Sequence, residues 1–212
     1  MSDRSLWIGS GLCGVAGVAC YLAAISVPWP DTPGGTSAAL LCVSAWPVLS
    51  VIYCFGLYRF VAAESESAVN TLGLIFAIMA FATVLDMIVV QLALGASLPE
   101  LTAGLDDATA RALRRGLRMV DLGLDVAWDM LIGTALIFSG LAIRKRSGLG
   151  PLWGIPSILL GAALMALNAA TFPWPPGDHG LFDLGPFVGL FVLLLAGRLA
   201  LLGWKALPRQ TG

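Results

Sequence analysis

Along the chain, long apolar runs alternate with short polar, proline-rich or glycine-rich breaks. Runs that supply the about 17–25 residues a helix needs to cross a bilayer fall at 6–27, 38–61, 70–96, 119–143, 151–172 and 181–204. They predict an all-α membrane protein: a single transmembrane domain over 1–212, built as a bundle of six transmembrane helices. The breaks carry turn chemistry, as in Pro28-Trp29-Pro30-Asp31-Thr32-Pro33-Gly34-Gly35, Pro173-Trp174-Pro175-Pro176-Gly177-Asp178 and the basic Arg144-Lys145-Arg146 turn. Between spans 3 and 4, Ser97-Leu98-Pro99-Glu100 has capping-box spacing, and strong helix formers follow from Asp106. That pattern predicts a short interfacial helix and then a long extension of span 4. Pro47 falls inside span 2, where it removes a backbone bond. Gly11, Gly14 and Gly17, together with the Gly185/Gly189 pair, offer close helix contacts.

Composition agrees with this pattern. The 212 residues are 58% hydrophobic and 12% charged, with mean hydropathy +0.88, more apolar surface than a soluble core of this size absorbs. A net charge of −1 and one histidine exclude nucleic-acid binding, which needs a concentrated basic surface, and any mechanism built on several histidines. Cys13, Cys20, Cys42 and Cys54 all lie in apolar runs without a C-x-x-C pair and read as buried small hydrophobes. The first segment lacks the positive n-region of a signal peptide and its apolar stretch continues past Cys20, so it reads as a retained span. Gly17-Val18-Ala19-Cys20 lacks the bulky first residue of a lipoprotein cleavage box.

Six spans put both termini on one side. Eight cations, Arg4, Arg59, Arg144, Lys145, Arg146, Arg198, Lys205 and Arg209, then share that side, against Arg111, Arg114, Arg115 and Arg118 on the other. The positive-inside rule therefore predicts N-in, C-in.

Charge at a helix centre costs about 2.5–3.5 kcal/mol on insertion scales, so intramembrane acids are the first place to look for function. Asp86, Asp125 and Asp129 are the candidates. At 100° per residue, Arg111, Arg114, Arg115, Arg118, Asp121, Asp125 and Asp129 share one face of span 4, a stripe that turns from cationic to acidic as it enters the membrane. With a rise of about 1.5 Å per residue, Asp86 and Asp129 sit ~15 Å below the outer surface, Asp125 ~9 Å and Asn168 ~6 Å. His179, Asp178 and Asp183 belong to the loop above. These positions predict an outward-opening polar cavity between spans 3, 4, 5 and 6, lined by Asp86, Asp125, Asp129 and Asn168, with Arg118, Asp121, Trp128, His179 and Asp183 around it. Clustered carboxylates there would titrate together and could supply a proton. Alternatively, Asp125 and Asp129 pair with Arg118, Asn168 or Trp128 and simply fix helix packing.

Other chemistries find no support. Asp121-x-x-x-Asp125-x-x-x-Asp129 offers oxygen ligands at helical spacing, but the D-x-x-D-G-x-x-A-R block of membrane phosphotransferases acting on CDP-alcohols is missing. No Walker glycine loop and no G-x-S-x-G nucleophile motif accompany His179. No metal and no cofactor are expected.

The segments Gly123-Leu124-Asp125-Val126-Ala127-Trp128-Asp129, Leu167-Asn168-Ala169-Ala170-Thr171-Phe172-Pro173 and Leu184-Gly185-Pro186 resemble a family of six-span bacterial membrane proteins known only as a domain of unknown function. The resemblance covers the C-terminal half well, spans 2 and 3 loosely through Gly56-Leu57-Tyr58-Arg59, and the first span hardly at all. It implies the architecture and an inner-membrane location, and no activity. Three functions compete: a protein that binds or moves a small or lipid-like molecule, for which a homodimer would be expected if it transports; a cofactor-free intramembrane enzyme using a protonated Asp on a prenyl or lipid substrate; and a structural or accessory subunit. Membrane lipids are the partners expected in every case.

Overall fold

The computed structural model describes residues 3–26 and 33–205, and all elements found there are helical. They are α1 (Asp3–Ser26), α2 (Pro33–Ala62), α3 (Ala68–Thr102), α4 (Asp107–Ile143), α5 (Pro151–Thr171), a 3₁₀ turn at Pro176–His179, and α6 (Gly185–Lys205). Each of the six α-helices is long and apolar enough to cross a membrane. The first Pro-Trp-Pro break lies largely outside the described residues, as does Arg209. Each helix packs on its neighbour in sequence from α1 to α5, and α6 returns to pack on α1 while touching α5 only sparsely.

The connection between α3 and α4 differs from the expected separate interfacial helix. Residues 98–102 continue α3, and 107–118 are the first turns of α4. The capping signal at Ser97 is overridden because the apolar run before it is already helical and Pro99 sits within an established helix. The break occurs at Gly104, whose φ of +77° ends α3. Asp106 then caps α4, its Oδ1 accepting from the backbone N–H groups of Ala108 and Thr109, each at 3.0 Å. The Thr109 hydroxyl, donating to the other carboxylate oxygen, holds Asp106 below its ordinary pKa, aided by the Thr109 backbone N–H. At about 1.5 Å per residue, the 35 residues of α3 and 37 of α4 make a hairpin that outreaches the 21-residue α5 and α6.

Two facing heptad stripes hold α4 to α5. The buried positions of α5 are Gly154, Ser157, Gly161, Leu164, Asn168 and Thr171, spaced alternately by three and four. On α4, Leu122, Val126, Asp129, Gly133, Leu136, Gly140 and Ile143 follow the same rhythm, as antiparallel packing in a left-handed bundle requires. The glycines bring backbones together: a Cβ added at Gly161 would lie 2.4 Å from the Gly133 carbonyl oxygen, and one at Gly140 would lie 2.6 Å from the Gly154 carbonyl oxygen. Ser157 Oγ donates to the Leu136 carbonyl across the seam at 2.7 Å. Gly11, Gly14 and Gly17 do the same for α1, against Ala196 and Ala200 of α6 and against Tyr53, Trp46 and Leu49 of α2. Gly189 faces open space, so the Gly185/Gly189 pair joins no helices within the chain.

At the end of the bundle that carries the chain termini, charges are latched. Arg146 ion-pairs with Glu64 and lies 4.2 Å over the Phe60 ring. Glu64 also accepts from the Ser147 backbone N–H at 3.1 Å, and Arg198 donates twice to the Gly148 carbonyl, at 2.8 and 3.2 Å. The loop after α4 is thereby tied to both α2 and α6.

Candidate functional site

The acidic stripe of α4 approaches the bundle from its other, distal end. Arg111, Arg114, Arg115 and Arg118 are exposed, Asp121 and Asp125 are half-buried, and Asp129 is 5% exposed. The inward drift follows from the helical period: positions four apart rotate slowly around the axis, so one stripe begins in solvent and ends in the α4/α5 seam.

Asp129 occupies a heptad seam position opposite Asn168. Its Oδ2 accepts from Asn168 Nδ2 at 2.8 Å, and the same amide nitrogen donates to the Leu164 carbonyl at 3.0 Å. Asn168 is 1% exposed. Its Oδ1 has no hydrogen-bond partner, nor has the buried Nε1 of Trp128. Leaving such atoms unpaired in a dry interior is costly, and Trp7 Nε1, Ser50 Oγ and Arg146 Nε share that state elsewhere in the bundle.

Asp125 sits one turn closer to the distal surface. Asp183, Asp121 and Asp178 lie near enough for their charges to act on it, while Asp125 and Asp183 act on Asp129. Across from them, Tyr21 of α1 lies within electrostatic reach of Asp183 and Asp125. The Tyr21 ring packs on Trp46 at 4.4 Å between centroids, and Trp46 meets Trp128 at 6.4 Å and Phe81 at 6.3 Å, both nearly edge-to-face. Tyr21, Trp46, Trp128 and Asp125 all keep part of their surface accessible. Acidic and aromatic side chains thus lie side by side at the distal end, next to the Asp129–Asn168 pair.

The outer edge of this group is differently organised. Arg118 Nη2 donates to Asp178 Oδ1 at 3.0 Å, and Asp121 Oδ1 accepts from Gln91 Nε2 at 2.7 Å. Asp183 Oδ1 accepts from the Gly185 backbone N–H at 2.8 Å at the start of α6. His179 is exposed at the end of the 3₁₀ turn. Among the described residues, Asp178 is the one of these five carboxylates with a cation in contact.

Asp86 stands apart. It is exposed on α3. Val84 and Ile88, two residues to either side, are buried, and two residues turn a helix by about 200°, so Asp86 points away from the bundle. Tyr21, Trp46 and Gln91 join the site without having been singled out in the sequence. Nothing local distinguishes them, because their role comes from α1, α2 and α3 converging on α4.

Among the described residues, no three His, Cys, Asp or Glu side chains gather so as to hold a metal ion. On the terminal side of Trp46 and Trp128, a void of about 40 Å³ reaches from Phe81 to Tyr53, Ser139, Ser157 and Phe191, room for about three water molecules.

Six helices long and apolar enough to cross a membrane define the class: an integral, multi-pass membrane protein. No family model, curated protein or solved structure matches the chain, so the resemblance of the C-terminal half contributes nothing to the reading of these side chains.

Proposed function

We propose that the acidic and aromatic side chains at the distal end line a recess that binds a small molecule, with Asp125 and Asp129 as the principal polar contacts, and that this recess opens to the outside of a bacterial inner membrane with both termini in the cytoplasm. The observation that carries this reading is the buried, unpaired Asn168 Oδ1 beside Asp129, near carboxylates of which, among the described residues, Asp178 alone has a cation in contact. A purely structural polar pair would satisfy itself, because the gain from burying one depends on complete pairing. The cation distribution along the loops supports the orientation.

A packing role has one observation in its favour, the placement of Asp129 and Asn168 on the heptad seam, where a polar pair can fix register. Cysteine accessibility separates the readings. In a background lacking the four native cysteines, Cys at Asp125 and at Gly177 should react from outside intact cells with a small, charged, membrane-impermeant thiol reagent, while Cys at Leu164 and at Ser147 should not. Protection of Asp125→Cys with labelling of Gly177→Cys would favour packing. Labelling at Ser147→Cys with protection at Gly177→Cys would reverse the orientation.

A further inference from the structure

The four cysteines are not equivalent once the chain is folded. Cys54 packs against both apolar clusters of the bundle interior, as a small hydrophobe does. Cys20 of α1 and Cys42 of α2, 22 residues apart in the chain, meet each other instead. Cys42 Sγ donates to the Cys20 carbonyl oxygen at 3.4 Å, and the two thiols lie within hydrogen-bonding reach of one another. We infer that Cys20 and Cys42 are a redox-active pair that oxidises to a disulfide joining α1 to α2, with a quinone dissolved in the bilayer as the electron acceptor.

The register of the two helices supports the bond. A disulfide needs Cα atoms about 4.4–6.8 Å apart, which only closely packed backbones provide. A Cβ added at Gly17 would lie 3.2 Å from the Trp46 carbonyl oxygen, so α1 and α2 approach closely here. Three residues onward along α1 is Cys20, and four residues back along the antiparallel α2 is Cys42, which keeps the two opposite each other. Tyr21, the next residue of α1, closes on the Trp46 ring at 4.4 Å between centroids. With the helices already held, forming the bond asks chiefly for rotation about the two Cα–Cβ bonds.

The surroundings select the acceptor. Both thiols are half-buried, and their neighbours Leu22 and Leu41 are 49% and 72% exposed, so the edge of this seam faces hydrocarbon. At 1.5 Å per residue, Cys20 lies on the order of 9 Å inside the end of α1. A charged oxidant from water is costly to bring to that depth, whereas a quinone is uncharged and lipid-soluble. In the reaction two S–H bonds break and one S–S bond forms. The two electrons and two protons pass to the quinone oxygens, leaving a quinol.

The experiment uses the full chain in phosphatidylcholine nanodiscs, reduced, freed of reductant and kept without oxygen. Duroquinone is the probe, because every ring carbon is substituted and thiols cannot add to it. After its addition, remaining thiols are alkylated in denaturant and the digested protein is weighed. Alkylable thiols should fall from four to two per chain, with one quinol formed per chain and a Cys20–Cys42 peptide pair two hydrogens lighter than its parts. Cys20→Ser and Cys42→Ser should each abolish the cross-link and the quinol while keeping melting temperatures close to that of the reduced, unaltered protein. Cys13→Ala combined with Cys54→Ala should keep both products. Four thiols remaining, a cross-link that uses Cys13 or Cys54, or bonds between chains in place of the bond within one would overturn the inference.

Discussion

Arg146 and Asp125 lie at opposite ends of the same bundle, and their surroundings treat charge in opposite ways. At the terminal end, Arg146 has a carboxylate partner in Glu64 and an aromatic face in Phe60, Glu64 has a second donor in the Ser147 backbone, and Arg198 closes on the Gly148 carbonyl. At the distal end, Asp125 faces three more carboxylates, and the floor beneath it keeps an unpaired acceptor. Aromatic side chains occur at both ends, and at the terminal end a cation of the chain, Arg146, sits over one of them. Buried unpaired atoms occur at both ends, Trp7 Nε1 and Arg146 Nε at one and Trp128 Nε1 and Asn168 Oδ1 at the other, so the contrast is one of charge: cation and carboxylate meet within the chain at the terminal end, while at the distal end carboxylates cluster. Function commonly sits where local consistency is sacrificed in this way.

The largest stability effect should come from the seam both ends depend on. Gly161→Val forces side-chain atoms into the Gly133 backbone and should cost about 3 kcal/mol through overpacking, read as a lower melting temperature in nanodiscs. Gly189→Ala, where an added Cβ meets nothing within 4 Å, should change stability by less than about 0.5 kcal/mol. Equal effects at both glycines would remove the α4/α5 seam from its place in the fold.

Asn168→Ala comes next. It takes the donor from Asp129 in a buried setting and should cost about 1–3 kcal/mol. Thermal unfolding of this variant beside Asn168→Asp would show whether the amide donor or the side-chain volume matters.

At the terminal end, Glu64→Gln should cost about 1 kcal/mol, a value reduced because the Glu64 side chain is 39% exposed. Its pH signature is more telling. The Ser147 backbone N–H, with help from Arg146, holds the Glu64 carboxyl below its ordinary value of 4.5. Desolvation draws Arg146 below its own ordinary value against the pull of Glu64, and it keeps its charge as arginines do. A carboxyl with a lowered folded pKa stabilises above its unfolded pKa, and that contribution disappears as the pH falls through the folded value. The melting temperature of the unaltered protein should therefore drop more steeply below about pH 4.5 than that of Glu64→Gln; parallel curves would show the latch to be energetically idle.

Much of this architecture is legible in the sequence, because bilayer thickness imposes a length on every apolar run. The ends of α1, α2, α5 and α6 are read to within a few residues. The α3–α4 connection is not: Ser97 and Glu100 carry a local capping pattern, and the continuing helix outweighed it until Gly104. At the site, the face shared by Arg118, Asp121, Asp125 and Asp129 follows from the helical period, and so does the approach of Asn168. The outward turn of Asp86 depends on which side of α3 packs, and depth alone says nothing about that. Tyr21 and Trp46 are further from reach, since apolar-rich helices give aromatic side chains no polar face to be read against. The glycine register 133/140 against 154/161 is visible in retrospect as a repeat of seven.

The smallest expected stability effect is the most informative. If the distal carboxylates await a partner, Asp125→Asn removes like-charge repulsion from Asp183, Asp121 and Asp178 while preserving side-chain size. Thermal unfolding of Asp125→Asn and the unaltered protein, without added ligand in neutral-lipid nanodiscs at pH 7, should give a melting temperature for the variant equal to or above that of the unaltered protein. A melting temperature lowered as far as that of Asn168→Ala would contradict the account and make Asp125 part of what holds the bundle together.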